Sequence, residues 1–324
     1  MAQQFASLAE VSRQDDRRKV RDLREKIIEG LLFLCALFAV GVTTAIVVIL
    51  VVDALPLFKV VSLWDFLTGR EWSPLFEPPA YGIVPLVCGT LSTTLVALAV
   101  AVPLGTVIAI YLTEFAAAKV REVVKPILEL LAGVPTVVYG YFALLVVSKV
   151  LQATILPNLP TFNMLSAGLV MGIMIIPQIA SISEDAMRAV PVGLKEGSYA
   201  TGATRLQTAW NVVLPAAISG VSSSYILGIS RAVGETMIVA IAAGGQPIFL
   251  DPEKPLPIAA AAGLNPMEGG QTVTAYIVQV SLGDLPHDSI AYQSIFAAGL
   301  SLAIVTLMFN VVGHYLSQKY REKY

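Results

Sequence analysis

The stretch Leu206–Thr236, LQTAWNVVLPAAISGVSSSYILGISRAVGET, decides what kind of chain this is. From Leu206 to Ser230 it carries no charged residue, and then Arg231 and Glu235 appear four residues apart. The preceding charge is Arg205 and the next is Asp251. A run this apolar is the material of a membrane span, where an ionised side chain costs about 2.5–3.5 kcal/mol at the helix centre. Charges persist there when they face protein, water or a ligand. The spacing predicts that Arg231 and Glu235 share one helical face and neutralise each other. Arginine also presents a planar fork that suits a tetrahedral oxyanion. The pair reads either as part of a substrate pathway or as a salt bridge that fixes helix packing.

Outward from this segment, the composition is that of a polytopic membrane protein. Hydrophobic residues make up 56% of the chain and charged residues 14%, with a mean hydropathy of +0.74; soluble domains carry about 25% charged residues. Cys35 and Cys88 fall in apolar segments without motif spacing, and His287 and His314 are isolated, so neither a disulfide nor a metal centre is expected. No cofactor and no nucleic-acid partner are expected.

Six apolar segments are long enough to cross a bilayer: Leu31–Val52, Leu86–Leu112, Ile127–Val147, Met164–Ser183, Ala216–Ala243 and Ile290–Tyr315. Pro103, Pro135 and Pro177 interrupt three of them, and neighbouring helices must satisfy the freed carbonyls; the prolines read either as kinks in helices packed around a pathway or as the ordinary tolerance of proline in membrane bundles. Basic residues set the orientation. Sixteen of the 21 Lys and Arg fall on one side: seven in the polar arm before Leu31, then Lys119, Arg121, Lys125, Arg188, Lys195, Arg205, Lys319, Arg321 and Lys323. The other side holds Lys59, Arg70, Lys149 and Lys254, and Arg231 is intramembrane. By the positive-inside rule both termini are cytoplasmic. The expected organisation is a retained cytoplasmic arm at 1–30, a transmembrane domain at 31–317 and a cytoplasmic tail at 318–324. Outer loops are expected at 53–85 and 244–289, with a cytoplasmic loop at 184–215. Trp64 and Trp72 suggest an interfacial loop or short helix in the first outer loop, and Thr272–Ser281 a short helix in the second.

Within the cytoplasmic loop, Pro191 can open a helix and Gly202 can close it. Leu194, Tyr199 and Ala203 would share one side, away from Lys195, Glu196 and Arg205. Such a helix demands a partner protein or a place on the bilayer surface. The spacing is specific. Glu196-Gly197-Ser198 is followed by Gly202 six residues after the glutamate, then by Val212-Val213-Leu214-Pro215 after nine more. This resembles the EAA loop of ABC-importer permeases, with Gly197 and Ser198 in place of two alanines and Val212 in place of isoleucine.

The resemblance narrows to phosphate-import permeases of the PstC type. It is carried by Tyr81-Gly82-Ile83-Val84-Pro85, Gly89-Thr90-Leu91, Pro103-Leu104-Gly105, Ile110-Tyr111-Leu112, Gly133–Gly140 and Arg231–Thr236. It implies an all-α, six-span, type I (MetI-like) permease fold in a bacterial cell membrane. It also implies four partners besides the lipid bilayer: a second permease subunit (PstA-type), two ATP-binding subunits (PstB-type), an external phosphate-binding protein (PstS-type) and phosphate itself. Glu196, Gly202, Leu214 and Pro215 would couple the ATPase to the fifth span, the loop forming a coupling helix seated in a groove of the ATPase. Arg231 lies sixteen residues beyond Pro215, about 24 Å of straight helix, near mid-bilayer. Arg231 would hold phosphate transiently, and Glu235 would hold Arg231 when the passage is empty. Tyr139, Tyr141 and Asn310 are candidate passage or packing residues. The chain has no Gly-Lys dipeptide and hence no P-loop lysine, so ATP hydrolysis belongs to a separate subunit and the chain is not itself an enzyme. A sulfate or molybdate permease is the alternative within transport. An ion-coupled secondary transporter would show a second copy of the charged segment, and a membrane enzyme would need a catalytic constellation; the sequence has neither.

Overall fold

The computed structural model describes residues 2–251 and 253–319, and most of the tail expected at 318–324 therefore lies outside the described residues. The chain divides into two compact units, Met1–Val52 and Asp53–Tyr324. The first consists of the opening part of helix α1 (Ala2–Val60), whose segment from Arg24 onward is apolar enough to cross a membrane.

The second unit is helical, with one two-stranded ribbon. After the end of α1 come α2 (Leu63–Thr68), strands β1 (Trp72–Ser73) and β2 (Ala80–Tyr81), α3 (Val84–Ile110), α4 (Ala118–Ala132), α5 (Thr136–Phe142) and α6 (Ser148–Thr154). Then follow α7 (Met164–Arg188), α8 (Val192–Ala200), α9 (Arg205–Thr208), α10 (Leu214–Ala216), α11 (Ile218–Gly234) and α12 (Met237–Ala242). The last elements are α13 (Leu256–Ala262), α14 (Val273–Ser281) and α15 (Ile290–Lys319). Single-turn π-helical segments continue α3 (Tyr111–Phe115), join α5 to α6 (Ala143–Val147) and join α9 to α10 (Ala209–Val213).

Among the described residues, five helical segments are long and apolar enough to span a membrane: Arg24–Val60, Val84–Phe115, Thr136–Thr154, Met164–Arg188 and Ile290–Tyr315. The bent pair Arg205–Ala216 with Ile218–Gly234 makes a sixth when counted as one broken span, the fifth span in chain order. Two expected boundaries shift for physical reasons. Ile127–Leu131 belongs to α4, an amphipathic helix, and not to the third span. Gly133 and Pro135 punctuate the chain there, and Pro135 caps the helix that does span. The helix of the fourth span runs on to Arg188, beyond the expected end at Ser183. Pro103 and Pro177 both stay inside continuous helices.

The core is built on α3 against α7. Small residues let the two backbones approach, as membrane helices require. A Cβ at Gly168 would stand 2.7 Å from Val96 Cβ, and one at Gly172 would stand 2.8 Å from the Ala97 carbonyl oxygen. On the other side of this pair, Met171, Met174, Ile175 and Ile179 are fully buried with Ile238, Val239 and Ala242 of α12 in the same core. A second apolar cluster joins α2, the β1–β2 ribbon, α14 and α15, where Trp72 packs edge-on against Tyr276 at 4.9 Å. The Tyr276 hydroxyl meets Ser294 Oγ of α15 at 2.6 Å. Burial pushes the Tyr276 phenol up to about 12, and the Ser294 hydrogen bond only partly offsets this, so the bond is one between neutral groups. The short helix expected at Thr272–Ser281 is present as α14, with the Thr272 hydroxyl capping it through the Ala275 amide.

Gly172→Val forces a branched side chain into the α3–α7 contact and should lower stability by about 1–3 kcal/mol. Gly193→Ala, where a Cβ meets nothing within 4 Å, should not. Thermal unfolding of both variants in detergent checks this.

Candidate functional site

The fifth span is where the structure departs most from a simple helix. Pro215 has no amide hydrogen, and its ring collides with the carbonyl four residues back in an ideal helix. That carbonyl, of Asn211, lies in the π-helical turn Ala209–Val213, a widening that relieves the clash. The chain then bends by 75° between Ala216 and Ile218. Leu214–Pro215 therefore does not lead straight into the span. Arg231 lies thirteen residues beyond Ile218, about 20 Å along α11.

A second break separates the charged pair. α11 ends at Gly234, and Glu235 is extended, with φ −69° and ψ 131°. Arg231 and Glu235 therefore do not share a helical face, and among the described residues no ion pair joins them. Glu235 is buried and turns to the next helix: its Oε1 accepts from the amides of Met237 at 3.1 Å and Ile238 at 3.4 Å. It caps α12 in place of Thr236, whose side chain makes no cap bond. The Thr274 hydroxyl donates to the Glu235 carbonyl at 2.8 Å, so the opened backbone is satisfied on that side too.

Arg231 is left half-buried with one hydrogen bond among the described residues, from Nη1 to Gln178 Oε1 of α7 at 3.3 Å. Four of its five N–H donors remain for another acceptor. Around it α11 makes a polar contact with each neighbouring span. Ser224 meets Ser183 of α7 at 2.8 Å, Tyr225 meets Thr106 of α3 at 2.6 Å, and Ser230 donates to Asn310 of α15 at 3.0 Å. Tyr139 is buried and donates to the Leu131 carbonyl at 2.8 Å, whereas Tyr141 is exposed. Gln178 carries no sequence signal: a neutral residue in an apolar helix, 53 positions from its partner, obeys no local spacing rule.

Helix α8 forms where the punctuation places it. Pro191 is its N-cap, and Gly202 adopts φ +84° just beyond its end. The Gly202 amide donates to the Tyr199 carbonyl and the Ala203 amide to the Ser198 carbonyl, a Schellman closure. No residue of α8 is buried. Val192, Glu196, Gly197 and Tyr199 are exposed, and a Cβ at Gly193 or Gly197 meets nothing within 4 Å. Thus Glu196 lies on an open face, Gly202 closes the helix, and Leu214–Pro215 lies just before the bend into α11. These residues and the Arg231 region occupy different ends of the fifth span.

Near the C-terminal end of α7, Glu184 is fully buried. Lys125 of α4 reaches it at 2.9 Å, and Arg188 and Arg121 stand 3.8 and 4.0 Å away. Lys125 also pairs with Asp185 at 2.5 Å. This cluster ties α4 to the fourth span. A cavity of about 720 Å³ opens beside the β1 strand and α14, lined by Trp72, Phe249, Gln271, Tyr276 and Gln279 among others; Arg231 is not in its lining.

Residues 101–322 match the family described as binding-protein-dependent transport system inner membrane component. A probable ABC transporter permease protein, YqgH, of Bacillus subtilis is 34% identical over 93% of this chain and 94% of its own. Proteins named phosphate transport system permease protein PstC include one from Mesorhizobium japonicum, 31% identical over 78% of each chain. Another, from Pasteurella multocida, is 37% identical over 62% of this chain and 70% of its own. Among solved structures, a bacterial alginate ABC transporter in complex with a periplasmic protein shares the fold, with a TM-score of 0.56 and 15% identity over 89% of this chain and 96% of that one. The MetNI methionine ABC transporter does so with a TM-score of 0.52 and 18% identity over 74% of this chain and 95% of that one. With the match covering its helical domain from mid-α3 to beyond α15, the chain belongs to the binding-protein-dependent transport system inner membrane component family.

Proposed function

We propose that this chain is the PstC-type permease subunit of an ATP-driven phosphate importer in a bacterial cell membrane, with both termini cytoplasmic. It lines half of a passage whose other half comes from a PstA-type permease. A PstS-type binding protein delivers phosphate from outside. PstB-type ATPases dock on the open face of α8 around Glu196 and Gly197. The phosphate assignment draws on the names of relatives that are 30–37% identical.

One observation carries the pathway reading. Arg231, in an apolar span, is not claimed by Glu235 and keeps most of its donors for another acceptor. A guanidinium of that kind can grip a phosphate through two parallel N–H bonds. Its one hydrogen bond among the described residues, 3.3 Å to a neutral amide, is easily given up, which suits passage better than a closed cage. Glu235 acts differently from the sequence-based expectation. It holds the break between α11 and α12 that positions Arg231, and it does not compete for the guanidinium. A sulfate or molybdate importer would use the same fork, and anion competition separates these from phosphate.

In proteoliposomes holding the whole importer, Arg231→Gln should lower phosphate uptake by about 10- to 100-fold, the worth of a charged hydrogen bond or two. Arg231→Lys should fall between, since it keeps the charge and loses the fork. Glu235→Gln preserves an acceptor for the α12 amides and should be milder than Glu235→Ala, which removes the cap at about 1 kcal/mol of stability. Normal uptake in Arg231→Lys, Arg231→Gln and Glu235→Gln alike would refute the pathway role.

For the docking face, Gly197→Trp should leave the permease folded, because the added side chain meets open space. It should abolish co-purification of the ATPase subunit. Retention of a full complement of ATPase by this variant would place the docking face elsewhere.

A further inference from the structure

The inward side of α8 is fastened to three spans by contacts of different kinds. Leu194 packs on the apolar cluster of Ala109 and Ile110 from α3, Met187 from α7 and Val213 before α10. Ser198 Oγ meets Thr208 Oγ1, fully buried at the start of the fifth span, at 2.9 Å. The third contact is ionic. Lys195 Nζ stands 2.6 Å from Glu114 Oε1, and the two side chains are only 17% and 5% exposed. The Tyr199 hydroxyl donates to the other carboxylate oxygen at 3.5 Å. Burial, and next the Glu114 charge, push the Tyr199 phenol up, so it remains a donor.

Glu114 owes its position to the π-helical turn at the end of α3. Tyr111–Phe115 adds a residue to the helical turn, closed by the Ala116 amide on the Tyr111 carbonyl at 2.8 Å, and the chain then becomes extended at Ala116. Such a turn re-aims the side chains that follow it. Here it lies at the end of the second span that meets α8. Lys195 and Tyr199 lie four apart on α8 and close on one carboxylate, while Val192, Glu196 and Gly197 are exposed.

We propose that Glu114 and Lys195 are positioning residues that form a latch between the ATPase-docking helix and the second span. Movement of α8 is then delivered to α3 as well as to the covalently connected fifth span. A tight ion pair shielded from solvent holds α8 to α3 in a defined direction, whereas the apolar contact at Leu194 is non-directional and tolerates sliding. The inference rests on α8 being the ATPase-docking element, as proposed above.

The test uses the assembled importer in proteoliposomes. Lys195→Met keeps the stem and removes the charge on a helix with no buried residue, and should lower phosphate imported per ATP hydrolysed by about threefold or more. Lys195→Arg should restore it, as should Lys195→Glu combined with Glu114→Lys. A second measurement needs no transported substrate. Hydrogen exchange at residues 105–115 should respond to nucleotide in the native complex, respond less in Lys195→Met, and recover in Lys195→Arg. Native transport per ATP in Lys195→Met, or an unaltered nucleotide response at residues 105–115, overturns the latch. If nucleotide changes exchange nowhere in the native complex, including α8, the docking reading falls and the latch with it. If the native complex responds to nucleotide but carries no phosphate, the substrate assignment fails and the exchange measurement alone decides the latch.

Discussion

A helix that stops inside a hydrocarbon layer leaves amides and carbonyls that only the protein can satisfy. Helix α11 stops after Gly234 within an apolar run, and the Glu235 carboxylate meets the same demand by accepting from the Met237 and Ile238 amides, while Thr274 covers the Glu235 carbonyl. Had the helix run on, Glu235 would have stood one turn above Arg231, and the two charges would have cancelled. The same break that commits the carboxylate to backbone amides leaves the guanidinium with Gln178 alone among the described residues. Charge, local geometry and the proposed function therefore hang on one residue's role as a cap.

The end of the fold that carries α8 is organised by buried or half-buried ion pairs: Glu184 with Lys125, and Glu114 with Lys195. Buried pairs add little net stability over apolar packing, but removing one partner is costly and the geometry they impose is specific. That suits elements whose relative position matters more than their strength. Glu184 and Asp185 hold α4 to the fourth span, while Glu114 holds α8 to the second. The apolar contact of α3 with α7 between them is close because glycines face Val96, Ala97 and Ile179. A rigid central pair with ionic attachments at the end that carries α8 makes a mechanical frame suited to moving one helix by pushing another.

Much of this is legible in the sequence, and the exceptions have physical causes. The last span has the bounds its sequence announces, Ile290–Tyr315, because one uninterrupted apolar run is ended by polar flanks. Pro191 and Gly202 announce α8, since few other residues cap or close a helix so well. The apolar residues Ile127–Leu131 misplace the third span. They belong to the amphipathic α4, whose Arg121 and Lys125 turn to Glu184. The break at Glu235 is invisible to hydropathy, which does not change across it, and glutamate at that point reads as half of an i,i+4 pair before it reads as a cap. Gln178 and Glu114 are long-range partners, found only once the spans are folded together.

The most direct test of the central claim is a double-mutant cycle on phosphate uptake with Arg231→Gln, Glu235→Gln and the two combined. If Arg231 serves the anion while Glu235 serves the backbone, the two effects add to within about 0.5 kcal/mol. If Glu235→Gln, which keeps the cap, lowers uptake as much as Arg231→Gln does and the double variant is no worse than either, the two charges work as a salt bridge, and the separate roles assigned to them are wrong.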